Sequence, residues 1–593
     1  MNFRRPTLGF LLGVLLPFLA LLFVVALFFN SCGSDPRDNI PGGRTKQETA
    51  QAVSSLDLAM LAVASMPVSK DNENPSRALF YLNQWIGELE APEKKFEKDP
   101  LLAHTPRAYD NAPPLMDLDR RRFESPDLFY LQQCIWLRDI AKRVAPRPAP
   151  ADLQPWLKDL EKRIGISDSE RVRSAERMFD WTVCNIQLDK LPPPPKMAAA
   201  GVGKADRLSQ PGPIRGEKGP GYWQLPWQTL LYGHGDAWQR SRVFLLMCRQ
   251  AGLTAHMLGV QDESGSGAVR PWLCGVLVKD QLYLFDAELG LPILGPDEQG
   301  IATLEQVVAD PGLIRAMDIP GESPYRVSDA ELQGIQVLID AEPESLTLRM
   351  QMLEAALIGD KRLVLSCRPS DEEREVRKCK HISGVSIWRI SLEAVFFQIA
   401  QAMMRQQNPA LNSAHTKETY MFFPPYGLAE ARYLQFEGQF YRQAEDDKKG
   451  ACQVFSQLRM PYAAIDSLEN STEARQLLGM RDEMLQKDAK LRAEQIKDWA
   501  AIARVNKRHA TYWMGLCHFD AGDYQVAAEW FRDRTINDKE SKDSPWLPGA
   551  RYNLARCYEA EGKWNEAREL YLADESPQKI GNLLRAQRIE GRK

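Results

Sequence analysis

Residues 510–534, ATYWMGLCHFDAGDYQVAAEWFRDR, align with residues 550–574, ARYNLARCYEAEGKWNEARELYLAD, at an offset of forty residues. Gly522-Asp523-Tyr524 answers Gly562-Lys563-Trp564 at a turn, Ala527 answers Ala567, and Phe531 answers Tyr571. A repeat of this length is one pair of helices that cannot bury its own apolar face, so neighbouring pairs must stack. This restricts the C-terminal third to an α-helical array. The segments 427–457 and 470–505, with ARYLQFEGQFYRQA and GACQVFSQLRMPYAAI, extend it as degenerate copies, so the array spans 425–590.

The two copies resemble tetratricopeptide repeats. Met514-Gly515 and Leu554-Ala555 fill the small-residue packing positions, and the six residues beyond the usual period of about 34 fall in NDKESKDSPWLPG. The resemblance implies a concave surface lined by the first helix of each pair. That helix carries Thr511, Tyr512, His518, Arg551, Asn553 and Tyr558. Tyr558 packs between repeats by its motif position, which leaves Tyr512, His518, Arg551 and Asn553 as the protein-binding candidates. A mixed polar and aromatic set of this kind suits an extended peptide or a helix.

At the other end, Arg4 and Arg5 precede an uncharged run of ~24 residues, PTLGFLLGVLLPFLALLFVVALFF. As a helix at about 1.5 Å per residue, it reaches across a hydrocarbon core of about 30 Å. The basic flank stays on the cytoplasmic side, so the rest of the chain is expected outside an inner membrane, as a single-pass protein with a periplasmic body. Residues 1–32 are read as this anchor or as a lipoprotein-like signal, because FFNSCGSD places Cys32 where a lipid attachment site resembling that of bacterial lipoproteins would stand. Phe29 and Asn30 depart from that pattern.

Between the two ends, apolar residues recur at three- and four-residue spacings through 45–165, as in Leu79, Leu82, Trp85, Ile86 and Leu89, so the region is expected to be helical. A helix capped by Ser167 with Glu170 follows, and a second starts at Asp236, with Gln239 at its third position and Gly252 as its stop. TAHMLGV and RPWLCGVLVKDQLYLFD read as strands, the latter a hairpin turning near Lys279 to Gln281. Residues 192–221 read as a long mobile insertion able to cover a cleft, 331–424 as a mixed or helical connector, and KRLVLSCRPS within it as a strand.

The order FDWTVCNI, TLLYGHGDA, CRQAGLTAHML, RPWLCGVLV and LYLFDAELG resembles the core of the transglutaminase-like, papain-related superfamily, over about 172–295 of a domain placed at 166–330. Active members carry a cysteine after the Gly-Asp pair at a helix N-terminus, where the helix dipole favours thiolate, and a histidine and an aspartate from successive strands. The match puts Ala237 in the cysteine slot, Arg270 in the histidine slot and Asp286 in the aspartate slot. Alanine has no thiol, and arginine stays protonated. The resemblance therefore implies a fold without its chemistry, a non-catalytic, membrane-tethered scaffold. The alternative is a thiol-dependent transglutaminase or peptidase using a displaced cysteine such as Cys274.

Composition excludes other classes. The net charge of −4 has its signs interspersed, which is no nucleic-acid footprint. Ten cysteines show no CxxC pair, and AAAGVGKAD lacks the spacing of a phosphate loop, so no metal or cofactor is expected. The expected architecture is a multidomain α+β chain: N-terminal membrane helix, helical region, transglutaminase-like α+β core and C-terminal α-helical repeat array. The whole order resembles large envelope proteins of planctomycete-type bacteria. It implies envelope or membrane proteins, or peptides, as partners of the helical repeats.

Overall fold

A computed structural model describes residues 54–590, apart from 67–73, 91–94, 105–112, 196–211, 262–268, 323, 423–426, 443–447 and four positions between 479 and 484. Residues 6–29 and Cys32 lie outside the described residues. No helix among the described residues is long and apolar enough to cross a membrane.

The helical region opens with α1 (Ser55–Ser65) and α2 (Asn74–Glu88), then α3 (Ser125–Val144), α4 (Gln154–Ile164) and α5 (Ile166–Asn185). Helix α5 starts two residues earlier than the Ser167 signal suggests. Gly165, at φ 95°, holds the N-cap position, and the hydroxyl of Ser169 turns back to the Ile166 carbonyl. A two-residue strand β1 (Gln187–Leu188) pairs in parallel with β2 (His234–Gly235), which follows α6 (Pro226–Tyr232). Helix α7 (Ala237–Gln250) then leads into the main sheet.

The sheet is formed by β3 (Thr254–Gln261), β4 (Val269–Val278), β5 (Gln281–Asp286), β6 (Leu291–Pro292), β7 (Ile335–Ile339) and β8 (Ile382–Ile387), in the order β6-β5-β4-β3-β7-β8. All neighbours are antiparallel except β7 and β8, which run parallel. The hairpin between β4 and β5 turns through Lys279 and Asp280, both at positive φ, as a two-residue turn matched to strand twist requires. Between β7 and β8 lie α8 (Leu348–Ala356) and α9 (Pro369–Val376). The segment 361–370 forms no strand, contrary to its apolar alternation. Gln250 on α7 takes both the N–H and the carbonyl of Val364, and Glu354 takes the N–H groups of Leu365 and Ser366. With its backbone bonded to side chains, the segment has no ladder to join.

Helices α10 (Ile390–Gln407) and α11 (Pro409–Tyr420) lead to the C-terminal region. It contains α12 (Leu428–Glu437), α13 (Ala451–Leu458), the 33-residue α14 (Ala489–Ala521), α15 (Tyr524–Glu529), α16 (Leu547–Ala560), α17 (Trp564–Leu572) and α18 (Lys579–Arg588). The architecture is thus mixed α+β with a C-terminal helical repeat region.

Both faces of the sheet are covered. On one, Cys274, Val276 and Phe285 meet α5 and α7, where the rings of Phe179, Phe244 and Phe285 lie 5.2–5.3 Å apart. The same apolar cluster continues without a break into Tyr512, Trp513, Phe531, Ala567 and Tyr571 of the repeats. On the other face, Leu258, Leu284 and Val337 pack with Val376 of α9 and Leu584 of α18. Helix α18 approaches so closely that a β-carbon on Gly581 would lie 1.8 Å from the Leu289 carbonyl oxygen, which only glycine permits.

Candidate functional site: the tip of helix α7 and the inner face of the repeats

Asp236 caps α7 as its sequence position suggests. Its Oδ1 accepts the N–H groups of Trp238 and Gln239, both at 3.0 Å, and Gln239 returns a bond to the Asp236 N–H, completing a capping box. The other oxygen, Oδ2, accepts the Gly221 N–H at 2.8 Å. That bond draws Gly221, the last residue of the expected insertion 192–221, onto the helix tip. Gly221 sits at φ 78°, and a β-carbon there would meet Trp238 at 2.9 Å, so glycine lets the cover lie flat on the helix. Asp236 is wholly buried, and burial pushes its carboxyl up to about 6 against the pull of three N–H donors. Ala237 beneath it is 4% exposed. The donors that would favour an anion at this helix end are already occupied by Asp236.

Asp286 lies at the end of β5, also wholly buried. One oxygen accepts the N–H groups of Glu288 and Leu289. The other takes the Tyr325 hydroxyl at 2.7 Å and an ion pair with Arg326 at 3.0 Å. A bulge opposite Leu258 and Gly259 displaces Trp272, whose indole N–H donates to the same Tyr325 hydroxyl. Arg270 is on β4, opposite Val260, and pairs with Glu331 at 2.6 Å. The structure therefore brings Asp286 to Arg326 and Tyr325 rather than to Arg270. Nothing near Asp286 in sequence signals these partners, which stand 39 and 40 residues downstream.

Cys274 is wholly buried among apolar side chains facing α7, and burial pushes its thiol up to about 12. All nine cysteines among the described residues are buried. His256 is buried on β3 with neither ring nitrogen hydrogen-bonded, and burial lowers its pKa; Glu372 is 3.6 Å away. His234 is one-third exposed and pairs with Asp189 at 2.6 Å, its ring about 6 Å from those of Trp223, Tyr232 and Trp546.

The four repeat residues divide sharply. Tyr512 is wholly buried, stacked on Trp546 at 4.7 Å, and its hydroxyl accepts the Asn553 amide N–H at 3.0 Å. Asn553 also donates to the Cys184 carbonyl on α5. Both side chains therefore join the repeats to the α+β core instead of facing outward. His518 is mostly buried against Tyr441 and Asp523, while Arg551 is exposed.

Around Tyr512 and Asn553, a polar seam runs the length of the array. Arg556 pairs with Asp180 at 2.7 Å. Gly549 N–H donates to Gln187, whose amide donates to the Pro545 carbonyl. Asp520, 4% exposed, accepts from Arg143, Trp181, Asn185 and Gln435, and its carbonyl accepts from Arg147. Arg240 on α7 donates to the carbonyls of Ile186 and Ala287 and to Gln578, the N-cap residue of α18. Burial pulls this guanidinium down to about 10.

Residues 485–573 match the family model of anaphase-promoting complex, cyclosome, subunit 3, which supports tetratricopeptide-like repeats in this part of the chain. No curated protein and no solved structure matches.

Proposed function

We propose that this chain is a protein-interaction scaffold: a tetratricopeptide-type array fixed to a transglutaminase-like core that has lost its nucleophile, held outside the cytoplasm by residues 6–29. The observation that carries the reading is the closed tip of α7, where Asp236 and Gly221 seal Ala237, the residue that the transglutaminase resemblance puts in the cysteine slot. The match over 485–573 supports a protein partner in general. Because the inner face of the repeats is occupied by the core, partners meet the outer surface of a rigid composite, where Arg551, Val526 and Leu572 are exposed. An envelope protein is the partner class that the anchor reading favours.

Two measurements test this. A thiol-directed electrophile applied to the full chain near neutral pH is expected to leave Cys274 unmodified in the native state. Fast stoichiometric labelling of Cys274, with acyl-transfer or amidase activity lost in Cys274→Ala, would overturn the non-catalytic reading. Cross-linking in the native membrane should give a partner set that Val526→Glu with Leu572→Glu depletes, and an unchanged set would remove the repeats from the interaction. Truncation before the repeats is not a usable control, since their side chains are part of the same apolar core as α5 and α7.

A further inference from the structure

A hollow of about 500 Å³ opens between the end of α8 and the start of α9, within the range of about 300–1,000 Å³ typical of ligand sites. No residue of the repeat array lines it. We propose that it binds a carboxylate-bearing, partly apolar segment of a protein partner, with Arg362 and Arg368 as the anion-binding groups.

The wall is fixed before any ligand arrives. A single oxygen of Glu354 takes the N–H groups of Leu365 and Ser366 and the Ser366 hydroxyl, at 2.6–2.8 Å. Tyr130 donates to the Leu365 carbonyl, and Gln250 holds Val364 from both sides. Charged neighbours are paired as well: Lys361 with Asp57, and Lys142 with the Asp360 carbonyl. Arg362 and Arg368 are left over. Both are exposed, both line the hollow, and neither guanidinium has a hydrogen bond or ion pair to any described residue. The contrast with the seam is direct, since Arg143, Arg240 and Arg556 there are all engaged.

Gln351, Glu354 and Ser366 also line the hollow, with Glu354 already bonded to the wall, and the apolar part of the lining comes from Ala355, Leu357 and Ile358, of which Ile358 is 77% exposed. Above Gly359 a β-carbon would meet nothing within 4 Å. A guanidinium recognises a carboxylate through two parallel N–H···O bonds, and a phosphate in the same way. The apolar wall decides between them. A leucine-like side chain beside the carboxylate would cover Ile358, whereas free phosphate would leave it in water. Two cations with an exposed apolar side chain thus complement an acidic, apolar peptide.

The probe is a fluorescein-labelled hexapeptide of alternating leucine and glutamate, titrated by anisotropy against the full chain. Arg362→Gln with Arg368→Gln should weaken binding about tenfold or more. Ile358→Ser should weaken it about threefold, and lysine at both arginine positions should retain part of the affinity. Glutamine in place of the peptide's glutamates should abolish binding. Since both arginines are exposed and their guanidinium groups unbonded, the variants should melt with the wild type. The proposal is overturned if the peptide fails to bind, if the double variant binds it equally, or if millimolar inorganic phosphate displaces it from wild type and Ile358→Ser alike.

Discussion

The tip of α7 and the inner face of the repeats are both surfaces that sequence marks for binding, and in the folded chain each is covered by the chain itself. They are covered differently. The tip is closed by a segment fifteen residues away, through one carboxylate serving three backbone N–H groups. The inner face is closed by partners more than three hundred residues away, such as Asn553 with Cys184 and Asp520 with Trp181. The tip is therefore a local device, whereas the seam forms only once both halves have folded. Substitutions at the tip should loosen one cover, and substitutions in the seam should separate halves of the molecule.

The largest expected effect is in the seam. Asp520→Ala leaves the buried Arg143 guanidinium without its carboxylate and should cost roughly 3–5 kcal/mol in a chemical melt of the full chain. A loss as small as that of a surface residue would show that the seam does not hold the repeats. Next is Asp236→Ala. Beyond the cap, it orphans the Gly221 N–H, so it should cost roughly 2–4 kcal/mol, more than an exposed cap alone. Asp236→Ser should recover part of this. Equal losses for both would mean that the cover, rather than the cap, carries the energy. Asn553→Ala removes two buried bonds for roughly 1–3 kcal/mol, while Arg551→Ala, on the same helix, should stay within about 0.5 kcal/mol. If these two lose equally, the division of that helix into a seam side and a free side is wrong.

A smaller effect separates the two regions by pH. Burial raises the Asp236 carboxyl from 3.8 to about 6, so the native state binds the proton more tightly than the unfolded chain. Its contribution to stability is fully present below pH 3.8 and is lost as pH rises through about 6. Melting temperatures of wild type minus Asp236→Asn should therefore fall between pH 4 and pH 7. A flat difference would place the charge elsewhere.

Much of the fold is legible in residues close together in sequence. The Asp236 cap, the Lys279-Asp280 turn and the paired helices of the repeats each depend on neighbours a few positions apart, and each stands in the structure where the sequence puts it. What sequence misses is separated along the chain. The segment 361–370 alternates like a strand, yet Gln250 and Glu354 take its backbone groups. Tyr512 and Asn553 occupy positions that line a groove, yet the core fills the groove. At the candidate site, the sequence alone puts alanine at the first position of α7, but Arg326 and Tyr325 on Asp286 have no local signal.

By itself, the sequence determined the helical pairs at the C-terminus, the capped helix after Gly235 and the absence of a thiol at its first position, because hydrogen bonds between near neighbours and periodic burial need only a few residues to specify them. Only the tertiary structure decided that the repeats close on their own core, that Arg240 at the end of GHGDAWQR reaches Gln578 near the C-terminus, and that Arg362 and Arg368 face an open hollow. Those outcomes follow from which buried polar groups find partners across the folded chain. A buried donor or acceptor must be satisfied wherever its partner lies in sequence.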